Sequence, residues 1–206
     1  MSKIDFSLFD LVMFDLDDTL YDEKKYLFSA YEKISIYIAE NNPGVKMNSL
    51  LLYFKSEFIK NGRSNLFDKV TKKFKVTFSI KHCLLLMRNV SLEVKLPLFK
   101  NSFDLLSNAI LKSNICVVTN GNPLQQKNKV NLIDWKGLDK KIKFYYANEV
   151  EPKPSKKIFA DIIQHDYNIK INRVLMIGDS ITDYNFSKAI GCNFIYIDTH
   201  IDTHND

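Results

Sequence analysis

Three acids stand close together in Asp15-Leu16-Asp17-Asp18, directly after the apolar run Leu11-Val12-Met13-Phe14. A continuous apolar run reads as a strand buried on both faces, as in a parallel sheet. Acids at the carboxyl end of such a strand lie where open α/β sheets bind ligands. Carboxylates crowded in this way repel one another, and a cation or a shared proton offsets the repulsion. Asp is also common as a cap where a strand turns into a helix. This one stretch therefore leaves chemistry and capping open.

Later strands decide between them. Ile115-Cys116-Val117-Val118 runs into Thr119-Asn120-Gly121, and Phe144-Tyr145-Tyr146-Ala147 leads to Lys153. Val174-Leu175-Met176-Ile177-Gly178 ends in Asp179-Ser180, with Asp183 just behind. Every candidate group thus falls at the carboxyl end of a strand, which is one edge of the sheet. Scattered caps have no reason to coincide there. The acids Asp15, Asp17, Asp179 and Asp183 suit Mg²⁺, a hard cation that binds through a few carboxylates, waters and substrate phosphate oxygens. Thr119 offers a hydroxyl, and the Asn120-Gly121 turn offers backbone N–H groups to an anion. Lys153 adds a mobile positive charge able to touch both a phosphoryl oxygen and a carboxylate.

The elements that must position these groups follow from periodicity. Leu27, Ala30, Tyr31, Ile34, Ile38 and Ala39 recur at helical spacing until Asn41-Asn42-Pro43-Gly44 interrupts them. Further helices are expected around 47–60, 64–74 and 79–89, with no strand-like alternation among them. Beyond Pro97, helices near 99–112, 123–134, 155–167 and 182–190 alternate with the strands named above and a last one, Phe194–Asp198. Such alternation implies an α/β fold with a doubly wound parallel sheet and right-handed crossovers. The expected organisation is a core from 1–20 and 95–206, with an inserted all-helical segment over 21–94.

Bulk properties narrow the function. Hydrophobic residues make up 46% and charged residues 26% of 206 residues, ordinary for a globular chain with one sizeable core. The net charge of +5 is carried by dispersed lysines rather than a basic block, so a nucleic-acid interface is not expected. No apolar stretch reaches membrane-spanning length, and the start lacks the apolar core of a signal peptide. Cys83, Cys116 and Cys192 are far apart, without CxxC pairs, which fits a reducing, cytoplasmic setting.

The four groups of residues, taken together, resemble the ordered motifs of the haloacid dehalogenase-like hydrolase superfamily. They are Asp15-Leu16-Asp17-Asp18-Thr19, Thr119-Asn120-Gly121, Lys153-Pro154 with Ile158-Phe159, and Gly178-Asp179-Ser180-Ile181-Thr182-Asp183. Gln126 and Lys129, and Ala189-Ile190-Gly191-Cys192, are similar to its flanking text. The resemblance covers about two-thirds of the chain and implies a Rossmann-like core with a mobile helical cap after the first strand. It implies Asp15 as a nucleophile that forms an aspartyl-phosphate. It implies Asp17 as the acid that protonates the leaving oxygen and then the base that activates water, with its backbone carbonyl a Mg²⁺ ligand. Thr119 and the Asn120 amide would hold phosphoryl oxygens, and Lys153 would balance charge beside Asp15. Asp179 would be a Mg²⁺ ligand, and Asp183 a ligand through water or an orienting group. Asp18 is left with capping the turn.

Asp17 separates branches of the superfamily, because halide displacement needs no proton whereas an alkoxide leaving group does. The resemblance therefore implies a phosphatase with a small phosphorylated substrate and Mg²⁺ as cofactor; the chain is expected to be a monomer or homodimer. A phosphosugar mutase and a non-catalytic binding module share the core and stay open. A phosphonatase would need a desolvated cap lysine, and neither Lys33 nor Lys55 is marked as one. Arg63, in the break Asn61-Gly62-Arg63-Ser64, is the specificity candidate. The pair His200 and His204 reads as a terminal tail rather than a metal site.

Overall fold

The computed structural model describes residues 4–198, so His200 and His204 lie outside the described residues. The chain divides into two compact units: one takes it up to Glu23 and from Lys95 on, the other takes Lys24–Val94. Tyr21 and Glu23, expected in the helical segment, go with the first unit.

In the first unit, β1 (Leu11–Phe14) has no solvent exposure at any of its four residues, as the unbroken apolar run requires. After the helical unit come β2 (Leu96–Pro97), α5 (Lys100–Ala109), β3 (Asn114–Thr119), α6 (Pro123–Leu132), β4 (Ile133–Asp134) and β5 (Ile142–Tyr146). A π-helical turn, Phe159–Ile163, then leads into α7 (Gln164–Tyr167), followed by β6 (Val174–Gly178), α8 (Ile181–Ile190) and β7 (Asn193–Tyr196). The four helices α1 to α4, which lie within Glu23–Arg88, belong to the other unit apart from Glu23.

Five strands form one parallel sheet in the order β5-β3-β1-β6-β7. The chain steps outward from β1 to β3 and β5, then returns to β6 on the other side of β1. Strand order reverses between β1 and β6, and such a switch point is where open α/β sheets leave a ligand crevice. Alternate residues face opposite sides of a strand. Leu11, Met13, Cys116, Val118, Val174 and Met176 share a core with Phe159, Ile163, Phe186 and Ile190 from the helices. Their neighbours Val12, Phe14, Val117 and Ile177 are equally buried, so the sheet is covered on both faces. Truncating Phe14 to Ala in this packing would cost about 3–5 kcal/mol.

Several boundaries differ from expectation: β5 starts at Ile142 and ends at Tyr146 rather than Ala147, β7 ends at Tyr196 rather than Asp198, and three helices change. α5 ends at Ala109, whose carbonyl takes the N–H groups of Lys112 and Ser113 at 3.0 and 2.9 Å. α6 stops at Leu132, because Ile133 and Asp134 pair in parallel with Leu96 and Pro97. The segment after Pro154 enters its helix through the π-helical turn.

The second unit holds α1 (Glu23–Glu40, its first residue in the other unit), α2 (Met47–Asn61), α3 (Leu66–Phe74) and α4 (Ile80–Arg88). Leu27, Tyr31, Ile34 and Ile38 line the buried stripe of α1, and Tyr31 stacks on Phe54 with centroids 5.2 Å apart. Asn42 closes the first break by donating from Nδ2 to the Ile38 and Thr77 carbonyls, while its Oδ1 accepts from the Thr77 N–H. Arg63 is exposed. Lys33 donates to Ser91 Oγ at 2.6 Å, and Lys55 lies 5.1 Å from the centre of the Phe28 ring. No described helix is long and apolar enough to cross a membrane.

Candidate active site

Asp15 is the residue that follows β1, and its backbone N–H donates to the Ile177 carbonyl of β6 at 2.9 Å. The nucleophile candidate is thereby tied to the strand that carries Asp179. Lys153 comes from the loop after β5 and is buried, with its Nζ 2.5 Å from Asp15 Oδ1 and 2.6 Å from Asp183 Oδ1. The Asn120 side chain fixes that loop: Nδ2 donates to the Lys153 carbonyl at 2.9 Å and Oδ1 accepts from the Lys153 N–H at 2.8 Å.

Asp183 sits at the third position of α8 in a capping box. Its Oδ2 accepts from the backbone N–H and hydroxyl of Ser180, and Ser180 Oγ accepts from the Asp183 N–H. Capping and site geometry are here one device, since the same carboxylate turns its other oxygen to Lys153. The preceding strand makes room: a Cβ on Gly178 would come within 2.6 Å of Asp183 Cγ. Asp179 Oδ1 accepts from the Thr19 hydroxyl at 2.8 Å, and Thr19 is itself anchored by its carbonyl accepting from Ser102 Oγ at 2.6 Å.

Asp15, Asp179 and Asp183 each offer an oxygen within 4.8 Å of the others. Burial pushes the Asp15 carboxyl well above the ordinary carboxylate range; Lys153 opposes this, while the Asp183 and Asp17 charges add to it. Burial also raises Asp179, against its hydrogen bond from Thr19, with Asp183 and Asp18 adding to the rise. Three carboxylates face one ammonium, an imbalance that a divalent cation relieves. The donor set, all carboxylate oxygen, fits Mg²⁺.

Asp17 lies apart from this triad of acids. Its Oδ1 accepts from the Tyr21 hydroxyl at 2.8 Å, and its Oδ2 accepts from Lys129 Nζ at 2.7 Å and Gln126 Nε2 at 3.2 Å. Asp18, with φ of 53°, takes the Glu23 N–H at 3.0 Å and so caps the start of α1. Thr119 is buried at the end of β3, and its hydroxyl makes a long 3.4 Å contact to the Asn120 carbonyl. The Gly121 N–H, expected to be offered to an anion, is donated instead to Asn148 Oδ1 at 2.7 Å. Gly121 has φ of +121°, and a Cβ there would lie 2.6 Å from Gln126 Nε2.

Sequence reading did not assign Thr19, Tyr21, Glu23, Ser102 or Asn148 to the site, and it took Gln126 and Lys129 only as flanking text. Thr19 had a usable signal, a hydroxyl beside the acidic turn. Asn148 and Ser102 had none, being remote in sequence and unremarkable in type.

A family model described as "Haloacid dehalogenase-like hydrolase" matches residues 12–197. Among curated proteins no sequence matches significantly. Among solved structures, the chain is similar to the HAD-hydrolase YfnB from Bacillus subtilis, determined bound to magnesium. That pair has a TM-score of 0.63 and 19% identity, covering 96% of this chain and 90% of that one. A predicted phosphoglycolate phosphatase from Haemophilus somnus gives 0.62 and 20% identity, over 92% and 85% of the two chains. CbbY from Rhodobacter sphaeroides, in complex with xylulose-(1,5)bisphosphate, gives 0.62 and 13% identity over 96% and 90%. At these identities the structural likeness speaks for the fold, and the family match extends over nearly the whole chain. The chain belongs to the haloacid dehalogenase-like hydrolases.

Proposed function

We propose that the protein is a Mg²⁺-dependent phosphomonoesterase acting on a small phosphorylated metabolite. The observation that carries this reading is the buried Lys153 ammonium held between Asp15 and Asp183, with Asp179 completing a set of convergent carboxylate oxygens. Such a cluster is costly to bury and suits a site that binds a cation and an anionic group together. The similar fold of the predicted phosphoglycolate phosphatase from Haemophilus somnus supports the choice of chemistry by analogy.

In this reading Asp15 attacks phosphorus: its oxygen bonds to phosphorus as the ester P–O bond breaks, and Asp17 gives its proton to the leaving oxygen. Water then attacks the aspartyl-phosphate, the bond to Asp15 breaks, and Asp17 takes the water proton. Thr119, its hydroxyl weakly engaged at the strand end, and the Asn120 backbone amide bind phosphoryl oxygens. Lys153 offsets charge on Asp15 and the phosphoryl group. Asp15, Asp179 and Asp183, with the Asp17 carbonyl, would hold Mg²⁺. When bound, the ion supplies electrostatic stabilisation of the phosphoryl oxygens.

The unit Lys24–Val94 would act as the cap that sets selectivity, with exposed Arg63 as a candidate clasp for a second anionic group. The chain would work in the cytoplasm as a monomer or homodimer, without nucleic acid or membrane partners. Incubation with p-nitrophenyl phosphate and Mg²⁺, with Asp15→Asn as control, tests the chemistry. We expect turnover by the wild type that the substitution abolishes; equal rates for both would sink the assignment.

A further inference from the structure

Lys129 has no exposed surface, although α6, which carries it, shows no distinct apolar face in sequence. Its Nζ lies 2.7 Å from Asp17 Oδ2 and 2.5 Å from Glu23 Oε1, and Glu23 is buried as well. Gln126, one helical turn earlier and also buried, donates from Nε2 both to Asp17 Oδ2 at 3.2 Å and to the Asn120 carbonyl at 2.7 Å. Tyr21 takes the other Asp17 oxygen. Asp17 is thus gripped by at least three donors, Tyr21 from the turn after β1 and Gln126 and Lys129 from α6.

A stabilising role alone accounts poorly for this arrangement. Burying an ion pair costs desolvation that its attraction barely repays, and apolar residues of similar volume fill such a space as well or better. What apolar residues cannot do is fix one carboxylate rotamer. Orientation matters at Asp17 because it must reach the leaving oxygen in one step and the water in the next.

We propose that Lys129 is a positioning residue for Asp17, oriented in turn by Glu23 and assisted by Gln126. It touches neither substrate nor reacting atoms and acts only through the Asp17 carboxylate. The inference rests on the phosphomonoesterase reading given above.

The test compares leaving groups. Release of p-nitrophenolate needs no proton, whereas release of an alkoxide does, and hydrolysis of the aspartyl-phosphate needs Asp17 as base in both cases. Lys129→Met keeps the side-chain length; Lys129→Met with Glu23→Gln also removes the second buried charge, so that one folded variant is available. With alkyl phosphates we expect kcat to fall about 10- to 100-fold, a fraction of the full general acid–base effect, with KM changed less than about 3-fold. With p-nitrophenyl phosphate we expect a rapid burst of nitrophenol followed by slow turnover, a burst absent from the wild type. Equal losses for both ester classes without a burst, or wild-type rates in a folded variant, overturn the inference while leaving the phosphatase reading intact. No wild-type turnover of any ester overturns both.

Discussion

Two lysines in the core unit are buried in the same local manner, each with its ammonium between two carboxylates. Lys153 bridges Asp15 and Asp183, and Lys129 bridges Asp17 and Glu23. Each pairing takes one acid from the turn after β1. The surroundings then diverge. Around Lys153 stands a further acid, Asp179, so three carboxylates face one ammonium where Lys129 faces two, and the larger excess of negative charge suits a cation. Around Asp17 the additional partners are neutral donors, Tyr21 and Gln126, which satisfy lone pairs without adding charge. One cluster is arranged to acquire ligands and the other to hold a shape. In both, burial works against the ammonium but the adjoining carboxylates outweigh it and keep the lysine above its ordinary value.

The sharpest way to break this contrast is to delete the charges. Asp15→Asn should lower phosphatase turnover by at least about 10⁴-fold, since the nucleophile is lost, as read by steady-state kinetics. Lys153→Met should cost about 3–5 kcal/mol by leaving buried carboxylates unpaired. Mg²⁺ should restore part of that loss, because a cation can take over their neutralisation; a denaturant titration with and without the ion measures it. Lys129→Met should cost a similar amount, yet Mg²⁺ should recover little of it, and Glu23→Gln should recover more. If both variants respond alike to Mg²⁺, the division between a ligand-acquiring and a shape-holding cluster fails.

Gly121→Ala should cost about 1–3 kcal/mol in the same measurement, because it combines a strained positive φ with contact on Gln126. The smallest effect concerns the thiols of buried Cys83 and Cys116 and of partly buried Cys192, where burial is the largest influence. Burial pushes Cys83 up from its ordinary 9.0 to about 11 and Cys192 up to about 12, and it raises Cys116 further. The folded state then holds these protons more tightly than the unfolded chain, so the thiols' contribution to stability is constant below pH 9 and declines as pH rises through 9 to about 12. Alkylation at pH 8 should be at least about tenfold slower in native than in unfolded protein, as thiolate is the reacting form.

Much of the Lys153 cluster was legible in the sequence because strands with unbroken apolar runs end where their polar residues begin. Asp15 and Asp179 are read from that edge alone, and Lys153 from the loop after the next strand. The Lys129 cluster was hidden for a physical reason. Periodicity finds the inward face of a helix by its apolar residues, and α6 turns Gln126 and Lys129 inward instead. Glu23 falls in the helical segment expected over 21–94, although its side chain is committed to the core unit. The short β2–β4 pairing was invisible as well, since two-residue strands carry no alternation to detect.

One consequence of the sheet order concerns assembly. β1 pairs with β3 and β6, whose residues lie roughly 100 and 160 positions further along the chain. The Asp15 amide is itself bonded to Ile177 of β6. Contacts this distant raise the loop-closure cost and slow folding. On a ribosome adding about 5–20 residues per second, the strand that bears the nucleophile would wait roughly 10–30 s for its partner to emerge. During that interval the helical unit, built from local contacts, can already be folded, leaving an apolar strand as the segment most in need of a chaperone.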